Sequence, residues 1–167
     1  AGLGQDVPVP TSHRVDGEHP DIAALTRAVV LEYAVRYDAP DEVIAPTAPG
    51  STWVLVRDDD GTAVACGAVQ PWSHTVPGAP TDVGEVKRMY VVPAARGRGL
   101  SRLVLDELVA IAREQRLAAL VLETGTEQPE AMGLYTSYGF VPTDVWGPYA
   151  DDERSRCFRL DLTPDAT

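Results

Sequence analysis

A strand-like run over residues 84–92 ends at Pro93 and passes through Arg96, Gly97, Arg98 and Gly99 into a segment with helical patterning. Leu100, Leu103, Val104, Leu108, Ile111 and Ala112 recur at steps that give one apolar face, as far as Gln115. Residues 118–123 follow as a short apolar strand. A strand, a helix and a second strand in this order predict two parallel strands joined by a right-handed crossover. A Gly-rich turn at a helix start exposes backbone N–H groups that have no helical partner, and the helix dipole adds partial positive charge there. That combination suits a pyrophosphate. Arg96 and Arg98 add forked donors, and the missing Cβ of Gly97 and Gly99 lets phosphate oxygens approach the chain. The same residues also suit a plain tight turn with solvated arginines, because short glycine motifs recur by chance. No G-x-x-x-x-G-K-S/T run exists, and Arg102 stands where a dinucleotide fingerprint needs its third glycine.

The flanking segments fill out a mixed α/β domain (α+β), with a central, mostly antiparallel sheet, one parallel strand pair and flanking helices. Ile22, Leu25, Val29, Tyr33 and Tyr37 predict a helix over residues 21–37, broken at Pro40 and Asp41. A short turn at 42–45 and a loop at 46–50 lead to a hairpin. Its strands are 52–56 and 62–71, and its turn, 58–61, contains Asp60 and Gly61. Residues 77–81 form a Gly/Pro loop. Pro129 fits the first turn of a helix that runs to Tyr138 and stops at Gly139 in a left-handed cap. Residues 140–145 and 156–162 read as a closing antiparallel pair, and a further strand is expected near 13–15. We expect a poorly ordered segment at 1–12, one domain at 13–163 and a tail at 164–167.

Composition narrows the function. A chain of 167 residues with 44% apolar content is one globular domain. A net charge of -11 repels phosphate backbones, so no nucleic-acid partner is expected. It favours cationic acceptors such as amines, and it equally serves solubility. Cys66 and Cys157 are expected as two buried thiols. His13, His19 and His74 are scattered, so no metal site is expected. With no membrane-spanning run and no signal-peptide core, no membrane partner and a cytoplasmic location are expected.

The run from Val91 through Pro93, Arg96, Gly97 and Gly99 to Ser101 resembles the acyl-CoA-binding motif of the GNAT superfamily of N-acetyltransferases, Q/R-x-x-G-x-G/A. Ser101 stands where Gly or Ala is usual. A second block agrees: Ala131, Leu134, Tyr135, Gly139 and Phe140 match the family's N-x-x-A-x-x-L-Y-x-x-x-G-F helix, with Gln128 in place of Asn. The resemblance covers residues 84–141 well, and the first eighty residues only in element order.

It implies acetyl-CoA as co-substrate. The phosphates would sit on Arg96, Gly97, Arg98, Gly99, Leu100 and Ser101, and the pantetheine arm along Met89, Tyr90 and Val91. A backbone N–H near Val91 would polarise the thioester carbonyl. Gln128, Ala131, Leu134, Tyr135 and Tyr138 would complete the contacts. Tyr135 is the family's usual general acid for the leaving thiolate, and a neutral amine attacks directly. For the base, Glu85 comes first and Glu123 second, and an ordered water chain is the third choice. Either glutamate also suits a strand-end ion pair, Glu123 with Lys87 or Arg88. Tyr33, Tyr37, Trp72 and Tyr149 are acceptor-side candidates that packing would equally explain. The expected function is N-acetyl transfer to a primary amine of a small molecule or peptide. The rivals are an acyl-CoA-binding or sensing module and a scaffold whose turn binds free phosphate. Homodimers are common in the superfamily.

Overall fold

The structure, a computed structural model, describes residues 9–40 and 44–162. Residues 1–8 of the expected N-terminal segment 1–12, the expected tail at 164–167, and residues 42 and 43 of the expected turn lie outside the described residues, whereas Thr11 and Ser12 belong to a strand. Strand β1 (Thr11–Val15) is followed by helix α1 (Pro20–Arg36), then β2 (Thr52–Arg57), β3 (Ala63–Pro71) and β4 (Val83–Val91). Helix α2 (Leu100–Glu114), β5 (Ala119–Gly125), α3 (Pro129–Tyr138), β6 (Val141–Thr143) and β7 (Ser155–Asp161) complete the order. One seven-stranded sheet runs β1-β2-β3-β4-β5-β7-β6. Only the β4–β5 pairing is parallel.

Local chemistry sets the bounds. His19 caps α1, its Nδ1 accepting from the Asp21 N–H at 3.2 Å. Gly139 ends α3 at φ 117°, and the Phe140 N–H bonds back to the Tyr135 carbonyl. Phe140 is therefore part of a helix cap rather than the first residue of a strand, so β6 is shorter than 140–145. Strand β5 runs two residues past its expected end because β7 continues to pair with it, Thr124 against Arg156 and Gly125 against Ser155. Strand β1 begins two residues earlier than 13, with Thr11 opposite Arg57.

The sheet is covered on both faces. Val104, Leu105, Leu108 and Ala112 of α2 pack with Val54, Val56, Val69, Leu120 and Leu122, all buried. Ile22, Leu25 and Val29 of α1 pack on the other face against Trp53, Leu55, Cys66 and Tyr90. Each such side chain contributes about 1.5–3 kcal/mol on burial. Cys66 and Cys157 are buried free thiols.

Besides a register shift at the end of β2, between Val56 and Arg57, the sheet departs from regularity at two places on β4. Strands β4 and β5 pair at Val83–Ala119, Gly84–Leu120 and Glu85–Val121 and then splay apart. Between the Ala68–Lys87 and Cys66–Tyr90 pairs, β4 holds two residues against one on β3. This is a β-bulge, and Arg88 sits in it at φ 57°.

Candidate active site

The splay opens into a cleft of about 790 Å³, a volume suited to an extended small ligand. Its walls are the free half of β4, the turn before α2, the end of β5, α1 and α3.

One end is built for anions. Among the described residues, the backbone N–H groups of residues 97–102 have no acceptor. Gly97 and Gly99 take φ values of 78° and 77°, which glycine adopts without strain, and nothing lies within 4 Å of where a Cβ would project. This cradle, with Arg96 beside it, fits a pyrophosphate. The Arg96 Nε–H donates to the Val91 carbonyl at 3.0 Å, its Nη2 lies 2.7 Å from Glu32, and the guanidinium covers the Tyr90 ring. Burial pushes the Glu32 carboxyl up, but Arg96 and Arg36 outweigh it and hold it below its ordinary range. Gly97, Gly99, Leu100 and Ser101 line the cleft. Arg98 does not: it forms a two-pronged pair with Asp58, both contacts at 2.8 Å.

The second block supplies the facing wall. Ala131, Leu134, Tyr135 and Gln128 line it, beside Met89, Tyr90 and Val91 on β4. Tyr135 is 6% exposed, wedged against Phe140 and Phe158, and burial raises its phenol well above the ordinary value. Its hydroxyl has no hydrogen-bond partner among the described residues. The Gln128 side chain bridges α1, accepting from the Tyr33 hydroxyl at 2.9 Å and donating to the Tyr37 hydroxyl at 3.0 Å. Tyr138 faces away from the cleft, donating to Asp106 at 2.8 Å under the guanidinium of Arg102.

At the other end the two candidate bases part company. Glu85 is 0% exposed and lies behind the cleft wall rather than on it. It accepts from Gln70 at 3.0 Å and from Thr75, and its Oε1 lies 3.3 Å from Lys87 Nζ. Glu123 lines the cleft, accepting from the Ser155 hydroxyl at 2.9 Å. Burial raises its pKa, only partly offset by Ser155 and Lys87. Lys87 also bonds Tyr149 at 3.0 Å. Burial works to lower the Lys87 ammonium, but Glu85 and Tyr149 prevail and keep it above its ordinary range. Tyr33, Tyr37 and Tyr149 line the cleft, whereas Trp72 packs on Trp146 outside it. Sequence reasoning did not single out Arg88, Thr75 or Ser155, which also line it. No cluster of metal-ligating groups occurs among the described residues, and no helix there is long and apolar enough to cross a membrane.

Comparison with known proteins bears on the family and the fold. An IAA acetyltransferase of Azospirillum brasilense is 42% identical over 101 residues, covering 60% of this chain. The chain spans 62% of that relative's length. The uncharacterized N-acetyltransferase YjgM of Escherichia coli (strain K12) is 30% identical over 136 residues, 76% of this chain and 78% of that protein. A solved structure from Klebsiella pneumoniae, assigned as an acyl-CoA N-acyltransferase, has a TM-score of 0.73 at 27% identity and covers 92% of this chain and 98% of its own. The Acetyltransferase (GNAT) family matches residues 22–140, a span that runs from α1 through both strands of the splay to the cap of α3. The chain belongs to the GNAT acetyltransferase family.

Proposed function

We propose that the chain transfers an acetyl group from acetyl-CoA to a primary amine by direct attack in a ternary complex. One observation carries this reading: a single cleft holds the free N–H turn at 97–102, the unpaired edge of β4 and the unpartnered Tyr135 hydroxyl. The family and its acetyltransferase relatives support acetyl-CoA as donor.

The turn and Arg96 take the phosphates, for which Arg96 must leave its contact with Glu32. Past Glu85 the β4 backbone has no partner on the β5 side, so amides of the pantetheine arm can pair with it as an added strand. A backbone N–H near Val91 polarises the thioester carbonyl. Glu123 takes one proton from the acceptor ammonium, freeing its lone pair to attack the carbonyl carbon. The C–S bond breaks, and Tyr135 gives its proton to the sulfur. The nitrogen loses its second proton, which restores the tyrosine. The net products are the amide, CoA thiol and one proton. Glu85 acts behind this stage by fixing Lys87. The free thiols of Cys66 and Cys157 favour a reducing compartment, so we place the activity in the cytoplasm.

The test pairs thermal stability with thiol release over a panel of amines. Acetyl-CoA at a hundred times its Kd should stabilise the fold by about 2.7 kcal/mol. Tyr135→Phe should keep that stabilisation and lower kcat about 100-fold. No stabilisation by acetyl-CoA would sink the proposal, and stabilisation without release on any amine would favour a binding or sensing module.

A further inference from the structure

The bulge in β4 turns an additional cation into the cleft. Along this strand Val86, Met89 and Val91 pack toward α2, while Tyr90 packs toward α1. Strict alternation puts Glu85 and Lys87 on the α1 side and would send residue 88 to the α2 side. The extra residue at φ 57° instead leaves Arg88 turned to the loop that follows α1, where it donates to the Ala45 carbonyl and lines the cleft beside Lys87. A left-handed backbone costs energy at a residue that carries a side chain.

The other cations at this end are paired with carboxylates. Lys87 lies 3.3 Å from Glu85 and 3.0 Å from Tyr149. Arg154 lies 3.4 Å from Asp152. Glu123 accepts from Ser155. Arg88 donates only to the Ala45 carbonyl, and no carboxylate pairs with it among the described residues. Burial accordingly depresses its pKa. A half-buried guanidinium without an anion bears an uncompensated desolvation cost, which an arriving anion would relieve.

The position of Arg88 gives this anion a place relative to the reacting amine. Arg88 and Glu123 stand on the two lips of the splay, each just past the last pairing of Glu85 with Val121. One lip offers a positive group and the other a carboxylate. We propose that Arg88 holds a carboxylate of the acceptor while Glu123 faces its ammonium, so that the acceptors are amino acids with a free carboxylate rather than simple amines, amides or polyamines. A single guanidinium without a carboxylate partner matches a monoanion, and its fork matches a carboxylate in two-pronged geometry. A phosphate monoester would bring nearly two negative charges to a single arginine. This assignment rests on the acetyl-transfer reading above.

The experiment compares the standard amino acids with their carboxamides as acceptors, with acetyl-CoA as donor and thiol release as readout. At least one acid should exceed its amide about 100-fold in kcat/KM. Arg88→Gln should bring that ratio close to unity, chiefly through a higher KM for the acid, and Arg88→Lys should restore part of it. The acetyl-CoA thermal shift on each variant reports that it is folded with its donor site in place. An amide as good as its acid overturns the proposal, as does an Arg88→Gln variant that slows both alike, or transfer to none of the acids. A wild-type protein that acetyl-CoA does not stabilise overturns the donor reading, and this proposal with it.

Discussion

Glu123 keeps its proton to higher pH than an exposed glutamate because burial outweighs the help of Ser155 and Lys87. Between its unfolded and folded pKa values the native state therefore holds a proton that the unfolded chain has lost. Stability falls as pH rises through that window, and above the folded pKa the penalty is fully present. Glu123→Gln is always neutral and escapes it. The variant should match wild type in acid and become the more stable protein as pH rises through the window, as followed by denaturant unfolding. Its activity should move the other way, with kcat/KM down about 100-fold and the low-pH limb of the rate profile gone. A variant with wild-type turnover would return the base to water. The sequence presents Glu85 and Glu123 as similar strand carboxylates, and it cannot tell them apart because the difference is one of depth. Glu85 is enclosed by Gln70, Thr75 and Lys87, which come from three separate segments, whereas Glu123 opens onto the gap. The placement of Tyr135 and of the Gly-rich turn on the cleft was legible because it depends on local backbone and a fixed spacing. The outward turns of Arg98 and Tyr138 were not, since each follows a partner distant in sequence, Asp58 and Asp106.

Among the elements, β3 carries a constraint that its composition hides. A Cβ on Gly67 would lie 2.7 Å from a Val104 methyl and 2.8 Å from the Met89 sulfur, well inside normal contact. The close approach of α2 to the bulge requires glycine there. Gly67→Ala should cost about 1–3 kcal/mol, read as a lower denaturant midpoint at unchanged slope, and should weaken acetyl-CoA binding because Met89 forms part of the cleft wall. A midpoint equal to wild type would mean that α2 can retreat freely. The elements themselves were readable from apolar periodicity: α2 and β5 announce their buried faces, and Pro93 and Gly139 mark the stops of β4 and α3. The bulge was not readable, because it is a mismatch between two strands and Arg88 alone gives no sign of it. Gly125 is similar. It lies beyond the expected strand end at 123, and a Cβ there would overlap the hydroxyl of Tyr37, which reaches in from the end of α1 to meet Gln128.

At the scale of the whole molecule, a charge of -11 sets the fold against itself. The Debye length shrinks from about 30 Å at about 0.01 M salt to about 10 Å at about 0.1 M, so added salt relieves that repulsion. Surface pairs such as Arg14–Glu114 and Arg159–Asp161 weaken over the same range, but each contributes under about 1 kcal/mol. The melting temperature should therefore rise between these two salt concentrations. A fall would show that the surface pairs outweigh the net charge. The splay gives the molecule a mechanical property as well. Three ladder pairs, with the Ala118 N–H donating to the Asp82 carbonyl beside them, hold the β1–β4 part of the sheet to the plate formed by β5, β7 and β6. A sheet draws its stiffness from its rungs, so this seam is less stiff than the fuller ladders on either side of it, β3–β4 and β5–β7. Helix α2 braces it from one side, resting on Val54 and Val69 of one plate and on Leu120 and Leu122 of the other. Whatever fills the gap acts as a wedge between two hinged plates, and its thickness sets the angle at which they stand.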